Sequence, residues 1–261
     1  MIISKLKNNL TVIGFLAITV FLSSCVPKKE VVYFQNAKNS EVIVDTDTFR
    51  AKLKIGDIIS IYVSVFSTGE VDPAKPYNIQ MQAGTQGQLI DYLIDVDGNI
   101  DYPVLGKIKL VGLTIEEAKS LFKEKFAKGE LLKDPVIIMR VLNFRVTISG
   151  EVRSPGVYQV SGERVSIIEA LGMAGDLTIK GRRDNVMVIR DFNGTKAITN
   201  IDLTTKEVFN SPVYYLTQND IVYVEPNNSA ISSASGDTRI GTIISITSFI
   251  LTTALIFVTR N

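Results

Sequence analysis

The sequence predicts an α+β fold of two small modules, in each of which short strands wrap one helix, with a transmembrane helix closing the chain. Three observations predict it. Strand-like runs show period-2 alternation of apolar and polar residues. Two matching helix-start signatures each follow a glycine-marked turn, "TIEEA" at 114 and "SIIEA" at 166. An uncharged apolar run lies near the C-terminus.

The first element is N-terminal. Lys5 and Lys7 precede the apolar run Leu10 to Leu22, and two small residues then lead to Cys25, the one cysteine of the chain. This is the three-part layout of a secretory signal, assigned to residues 1–24. A run of about 13 residues spans about 20 Å as a helix, short of the roughly 30 Å hydrocarbon core. A lone cysteine forms no internal disulfide, and "Leu-Ser-Ser-Cys" resembles the bacterial lipobox, which makes Cys25 the expected lipidation site. An uncleaved anchor with an incidental cysteine is the alternative. Val26 follows the cysteine in place of the aspartate that resembles an inner-membrane retention signal, so the expected destination is the outer membrane, with the bulk of the chain in the periplasm.

Residues 25–48 read as a polar tether. In Lys54 to Phe66, Ile59, Ile61, Val63 and Val65 alternate with Ser60, Tyr62 and Ser64, the pattern of a half-buried strand. Residues 67–88, rich in turn formers and glutamine, read as an exposed loop. Asp97-Gly98 between two alternating segments predicts a hairpin. Thr114 with Glu117 forms a capping box, and Ile115, Ala118, Leu121, Phe122 and Phe126 share one face of the following helix, which Gly129 ends.

The unit then recurs: strand, Pro-Gly turn, strand, and Ser166 with Glu169 as a second capping box. Asn193-Gly194 predicts another hairpin, and "NDIVYVEP" at 219–226 echoes "GDIISIYV" at 56–63. Two units of this kind make β-grasp-like modules. Residues 227–239 read as a Ser-rich linker. Residues 240–258 carry no charge and would span about 28 Å, enough for a membrane core. Within that run Gly241, Ser245, Ser248 and Thr252 form a stripe of small residues, expected to face neighbouring subunits or a wetted lumen.

Composition narrows the chemistry. The 261 residues carry 28 basic and 27 acidic side chains, a net charge of +1 that argues against a nucleic-acid surface. There is no histidine, and the only cysteine is assigned to lipid, so His- or Cys-based catalysis and thiolate zinc sites are excluded. The run Asp95 to Asp101 looks like a calcium loop, but its glycine falls at position 4 and position 12 is Gly106, neither matching an EF-hand. Glu116 sits in a first helical turn, where the helix dipole already favours a carboxylate. "GEVRSPG" at 150–156 lacks the Lys-Ser/Thr of a phosphate loop. No catalytic residue, metal or cofactor is predicted, and the chain is not expected to be an enzyme.

Ordered together, "KIGDIISIYV", "DVDGNIDYPVLGKIKLVGLTIEEAKSLF", "DPVIIMRVLNFRVTISGEVRSPGVYQV" and "LTQNDIVYVEP" resemble the bacterial outer-membrane polysaccharide export lipoproteins over about Phe49 to Pro226. The resemblance implies an export domain at 49–142 and one soluble-ligand-binding β-grasp (SLBB) domain at 143–226. Well-described relatives carry two or more β-grasp repeats, so a shorter periplasmic body is expected. The resemblance further implies a homo-oligomeric, ring-forming conduit for capsular or exopolysaccharide, anchored in membrane lipid. An inner-membrane polysaccharide copolymerase, in some systems tyrosine-kinase coupled, is the implied partner. The alternative is a non-channel envelope lipoprotein that holds glycan through its β-grasp module.

Overall fold

The computed structural model describes residues 31–38, 49–67, 69, 72–81, 88–192, 194–234 and 238–260. Cys25 and the expected signal segment lie outside the described residues.

The alternation in the first strand buries one face. In β1 (Ile58–Ser64), Ile59, Ile61 and Val63 are fully enclosed while the intervening residues face outward. After two short strands, β2 (Gln80–Met81) and β3 (Gln88–Leu89), β4 (Asp91–Leu93) pairs with β1. With β7 (Val136–Val141) they form an antiparallel sheet in the order β4-β1-β7. The turn at Asp97-Gly98 joins β4 to β5 (Asn99–Tyr102), yet these two strands enter different sheets. The hairpin forms one turn later, between β5 and β6 (Gly106–Lys109), closing at Tyr102↔Gly106. The reason is local packing. Gly98 has φ +83°, and its carbonyl accepts the amides of Leu110 and Val111. A Cβ at Gly98 would lie 2.1 Å from Val111 Cγ1. The turn is thus folded beneath the end of the next strand instead of launching a ladder.

Helix α1 (Ile115–Lys128) crosses the sheet. Thr114 Oγ1 accepts from the Glu117 amide at 3.2 Å, and Glu117 Oε2 accepts from the Thr114 amide at 2.7 Å. Its buried stripe is Ala118, Phe122 and Phe126. Phe122 meets Tyr102 edge-on at 4.9 Å, and Phe126 meets Tyr77 in the same way.

The second domain is a five-stranded sheet over one helix. Its strands are β8 (Arg145–Gly150), β9 (Gly156–Gln159), β11 (Gly181–Phe192), β12 (Thr195–Ile201) and β14 (Ile221–Pro226), in the order β12-β11-β14-β8-β9. β14 runs parallel to β8, the other pairs antiparallel. The ladder β11–β12 closes at Phe192↔Thr195. A small ladder of β10 (Val165–Ser166) with β13 (Tyr215–Leu216) sits beside α2 (Ile167–Met173). At Ser166, Oγ accepts from the Glu169 amide while Glu169 Oε2 accepts from the Ser166 amide. Removing either cap hydroxyl, by Thr114→Ala or Ser166→Ala, is expected to lower stability by about 1 kcal/mol. Thermal unfolding checks this, and an unchanged midpoint would refute the cap's contribution.

Residues 31–38, within the expected tether, lie on this second domain. Phe34 and Gln35 donate their amides to the carbonyls of Leu203 and Thr204. The Tyr33 hydroxyl donates to Asp176 Oδ1, and the Asn36 side chain bonds both Glu207 and the Lys206 amide. The Phe34 ring packs on Phe209 at 5.0 Å. Burial, and the acceptor role of Asp176, push the Tyr33 phenol well above its usual pKa.

The C-terminal region departs from expectation in two places. Asn228–Ala234, read as linker, is helical (α3), with Asn227 Oδ1 accepting from the Ala230 amide. Thr238–Arg260 forms α4, but among the described residues no helix is long and apolar enough to cross a membrane. This overturns the expected transmembrane helix at 240–258. Within that helix Gly, Ser and Thr hold five of the ten positions 241–250.

Candidate functional site

Two turns of one design meet where the domains join. In Lys54-Ile-Gly56-Asp57, the Asp57 amide donates to the Lys54 carbonyl at 3.2 Å and the Lys54 amide donates to Asp57 Oδ2 at 2.8 Å. In Thr217-Gln-Asn219-Asp220 the matching distances are 3.1 and 2.7 Å. The third residue of each turn has positive φ, +85° at Gly56 and +63° at Asn219, a region that glycine and asparagine tolerate. Each turn opens an inner strand, β1 in the first domain and β14 in the second.

The register extends the match and then breaks it. Ile58↔Leu93 in the β1–β4 pair places Ile94 opposite Asp57, just as Ile221↔Ile189 in the β14–β11 pair places Arg190 opposite Asp220. Arg190 neutralises its partner: Nη2 lies 2.7 Å from Asp220 Oδ2, with the side chains 8% and 0% exposed. Arg190 Nε bonds both carboxylate oxygens at 3.1 Å, and Thr217 Oγ1 donates to Asp220 Oδ1 at 3.0 Å. Ile94 offers no such donor. Asp57 is 3% exposed and its Oδ1 is buried without a hydrogen-bond partner. Burial therefore pushes the Asp57 carboxyl pKa upward, opposed by the Lys54 amide and the Lys54 charge.

Between the turns runs the interdomain linker. Asn143 Oδ1 accepts from the Ile58 amide and its Nδ2 donates to the Gly56 carbonyl, both at 2.9 Å. From the other side Gln218 Nε2 donates to the Asn143 carbonyl at 2.8 Å, while Gln218 Oε1 accepts from the Arg145 amide. Lys54 crosses directly, donating from Nζ to Thr217 Oγ1 at 2.8 Å and to the Gln218 carbonyl at 3.3 Å. Burial pushes its ammonium pKa down, and the Asp220 charge opposes that shift. A cleft of about 540 Å³ opens beside the junction, with Asp57, Arg140, Phe144, Gln159 and Glu163 in its lining. The arrangement holds two domains in one orientation by polar contacts.

The predicted site residues fall elsewhere. Thr114 and Ser166 sit at the N-termini of α1 and α2, one in each domain. Gly241, Ser245, Ser248 and Thr252 share a face of α4 and are exposed. Two of the hydroxyls bond back to their own helix: Ser245 Oγ donates to the Gly241 carbonyl at 2.8 Å and Thr252 Oγ1 to that of Ser248 at 2.7 Å. The Asp95 carboxylate accepts the amides of Asp97 and Asn99, a turn-stabilising role. Among the described residues no group of three or more His, Cys, Asp or Glu is placed to hold a metal.

The comparisons follow the same division. Residues 45–142 match the family model described as polysaccharide biosynthesis/export protein, and residues 145–199 match that of the SLBB domain. The chain thus carries an export-family domain followed by an SLBB domain. It is similar to a protein named "EPS I polysaccharide export outer membrane protein EpsA" from Ralstonia solanacearum, 28% identical over 208 residues, which cover 74% of this chain and 54% of that protein. A protein of the same name from Ralstonia nicotianae is 26% identical over 212 residues, covering 78% and 54%. The chain spans about half the length of the curated relatives it matches. The junction described above falls between the two matched domains, at 143–144.

Proposed function

We propose that the protein acts in polysaccharide export at the outer membrane, as a lipoprotein that forms a ring enclosing a conduit for capsular or exopolysaccharide and changes no bond. The observation that carries this reading is the succession of an export domain and an SLBB domain tied through Lys54, Asn143 and Gln218. The names of the two relatives support it. Homo-oligomerisation, lipid attachment at Cys25 and an inner-membrane copolymerase partner belong to the same proposal. The stripe Gly241, Ser245, Ser248 and Thr252 is assigned to contacts between subunits. With the Ser245 and Thr252 hydroxyls bonded within the helix, what that face offers is room for close approach.

Deleting the gene is expected to abolish surface polysaccharide while leaving its synthesis intact, with restoration by the wild-type copy. Electron microscopy of the detergent-extracted protein should show closed rotational symmetry; monomers from a strain that still exports would overturn the ring. Cys25→Ala is expected to block processing at residue 24 and to displace the chain from the membrane fraction. Mature protein of unchanged mass in that variant would refute lipidation.

A further inference from the structure

The two turns at the junction differ in how their aspartates are partnered: Asp220 has its arginine and the Thr217 hydroxyl, whereas Asp57 faces Ile94 and its turn begins with a cation, Lys54. The cation of the first turn, Lys54, is directed away from its own aspartate and into the other domain. We propose that Lys54 is a two-position bolt. Reaching across to Thr217 and Gln218 it fastens the export and SLBB domains together; drawn back to the unpaired oxygen of Asp57 it releases them.

The two positions are close in balance for a stated reason. In the fastened position one buried carboxyl oxygen goes without a donor, a desolvation cost that nothing offsets. In the released position that oxygen gains a charge-assisted bond, while Thr217 Oγ1 still bonds Asp220 and the Gln218 carbonyl gives up the longer of the two Lys54 contacts, 3.3 Å. Lys54 can also make the return, since its own amide already binds the other oxygen of Asp57 at 2.8 Å. The Asn143 contacts bridge the domains in either position, so the change is a loosening about residues 142–145 and not a separation.

The protonation state of Asp57 sets which position is favoured. Lys54 is faced by Asp220, Arg190 and Asp191 from the second domain and by Asp57 in its own turn. The other charged residues on the cleft that Asp57 lines are Lys52, Arg140 and Glu163. A protonated Asp57 exerts no pull, so Lys54 stays across. Because burial raises the Asp57 pKa, the fastened form persists to higher pH than an ordinary carboxyl would allow, and it is lost as pH rises through that raised value.

The test measures the interdomain distance distribution by electron spin resonance. Spin labels are placed by Lys109→Cys and Lys196→Cys, exposed positions on the two domains, in the full chain with Cys25→Ala. Between about pH 5 and about pH 8.5 the distribution is expected to broaden roughly two-fold. Lys54→Met should be broad at both pH values. Asp57→Asn keeps the acceptor for the Lys54 amide and mimics the protonated acid, and it should be narrow at both. A narrow Lys54→Met distribution, an Asp57→Asn variant that still broadens, or a parent protein indifferent to pH would each overturn the bolt. Retained amide protection in β1 and β7 of the first domain and in β11 and β14 of the second establishes that each variant is folded.

Discussion

Arg190→Met is expected to destabilise the second domain by about 3–5 kcal/mol, because it strands a buried carboxylate. Asp220 is fully enclosed and loses three of its charge-assisted contacts at once, keeping the Thr217 amide and hydroxyl. In a domain of this size the unfolding midpoint should fall on the order of 10–20 °C. Adding Asp220→Asn removes the stranded charge while preserving an acceptor for the turn, and it should recover a large part of the loss. If Arg190→Met alone left the midpoint in place, the ion pair would not be holding β14 to β11.

Phe122→Ala is expected to cost the first domain about 3–5 kcal/mol through the cavity left between α1 and the sheet. The ring is 0% exposed and also loses its edge-on contact with Tyr102. The two large-effect substitutions lie in different domains, each with its own hydrophobic core. Measured in one calorimetric scan, Arg190→Met should therefore lower one transition and Phe122→Ala the other, each by more than it shifts the second. A single transition displaced equally by both would mean that the junction couples the domains into one cooperative unit.

What could be read from the chain was local. Alternation in β1 names its buried face correctly because a half-buried strand has period 2 whatever it packs against. The capping boxes at Thr114 and Ser166 are complete within four residues, so their hydrogen bonds are visible in sequence. Three other features depend on distant partners. Asp97-Gly98 is a good turn, but which strands it joins was decided by Val111, whose packing a turn signal does not contain. Tyr33 and Phe34 form too short an apolar pair for any periodicity, and their partners, Asp176 and Phe209, lie far along the chain. The echo between the strands at 56 and 219 was legible, whereas the exchange of Arg190 for Ile94 emerges only once register pairs each aspartate with a residue on the neighbouring strand. At the C-terminus, absence of charge was read as enough for a membrane span, while the frequency of Gly, Ser and Thr in the same run counts against it.

Residues 31–38 bind the second domain before the chain enters the first, and the chain returns to the second domain at Arg145. Val31 and the start of α3 line one cavity, so the two ends of the globular body leave from neighbouring points. The export domain is therefore suspended in an internal loop of its neighbour. Mechanical load applied at both ends of the chain would pass through the SLBB domain and bypass the export domain. Six peptide steps separate Cys25 from Val31, so at no more than about 3.6 Å per step the two lie within roughly 22 Å of each other. Whatever holds Cys25 holds the SLBB domain within that radius, and the first domain is carried on its neighbour through the junction at Lys54 and Asn143 and the stacked rings of Phe49 and Tyr215.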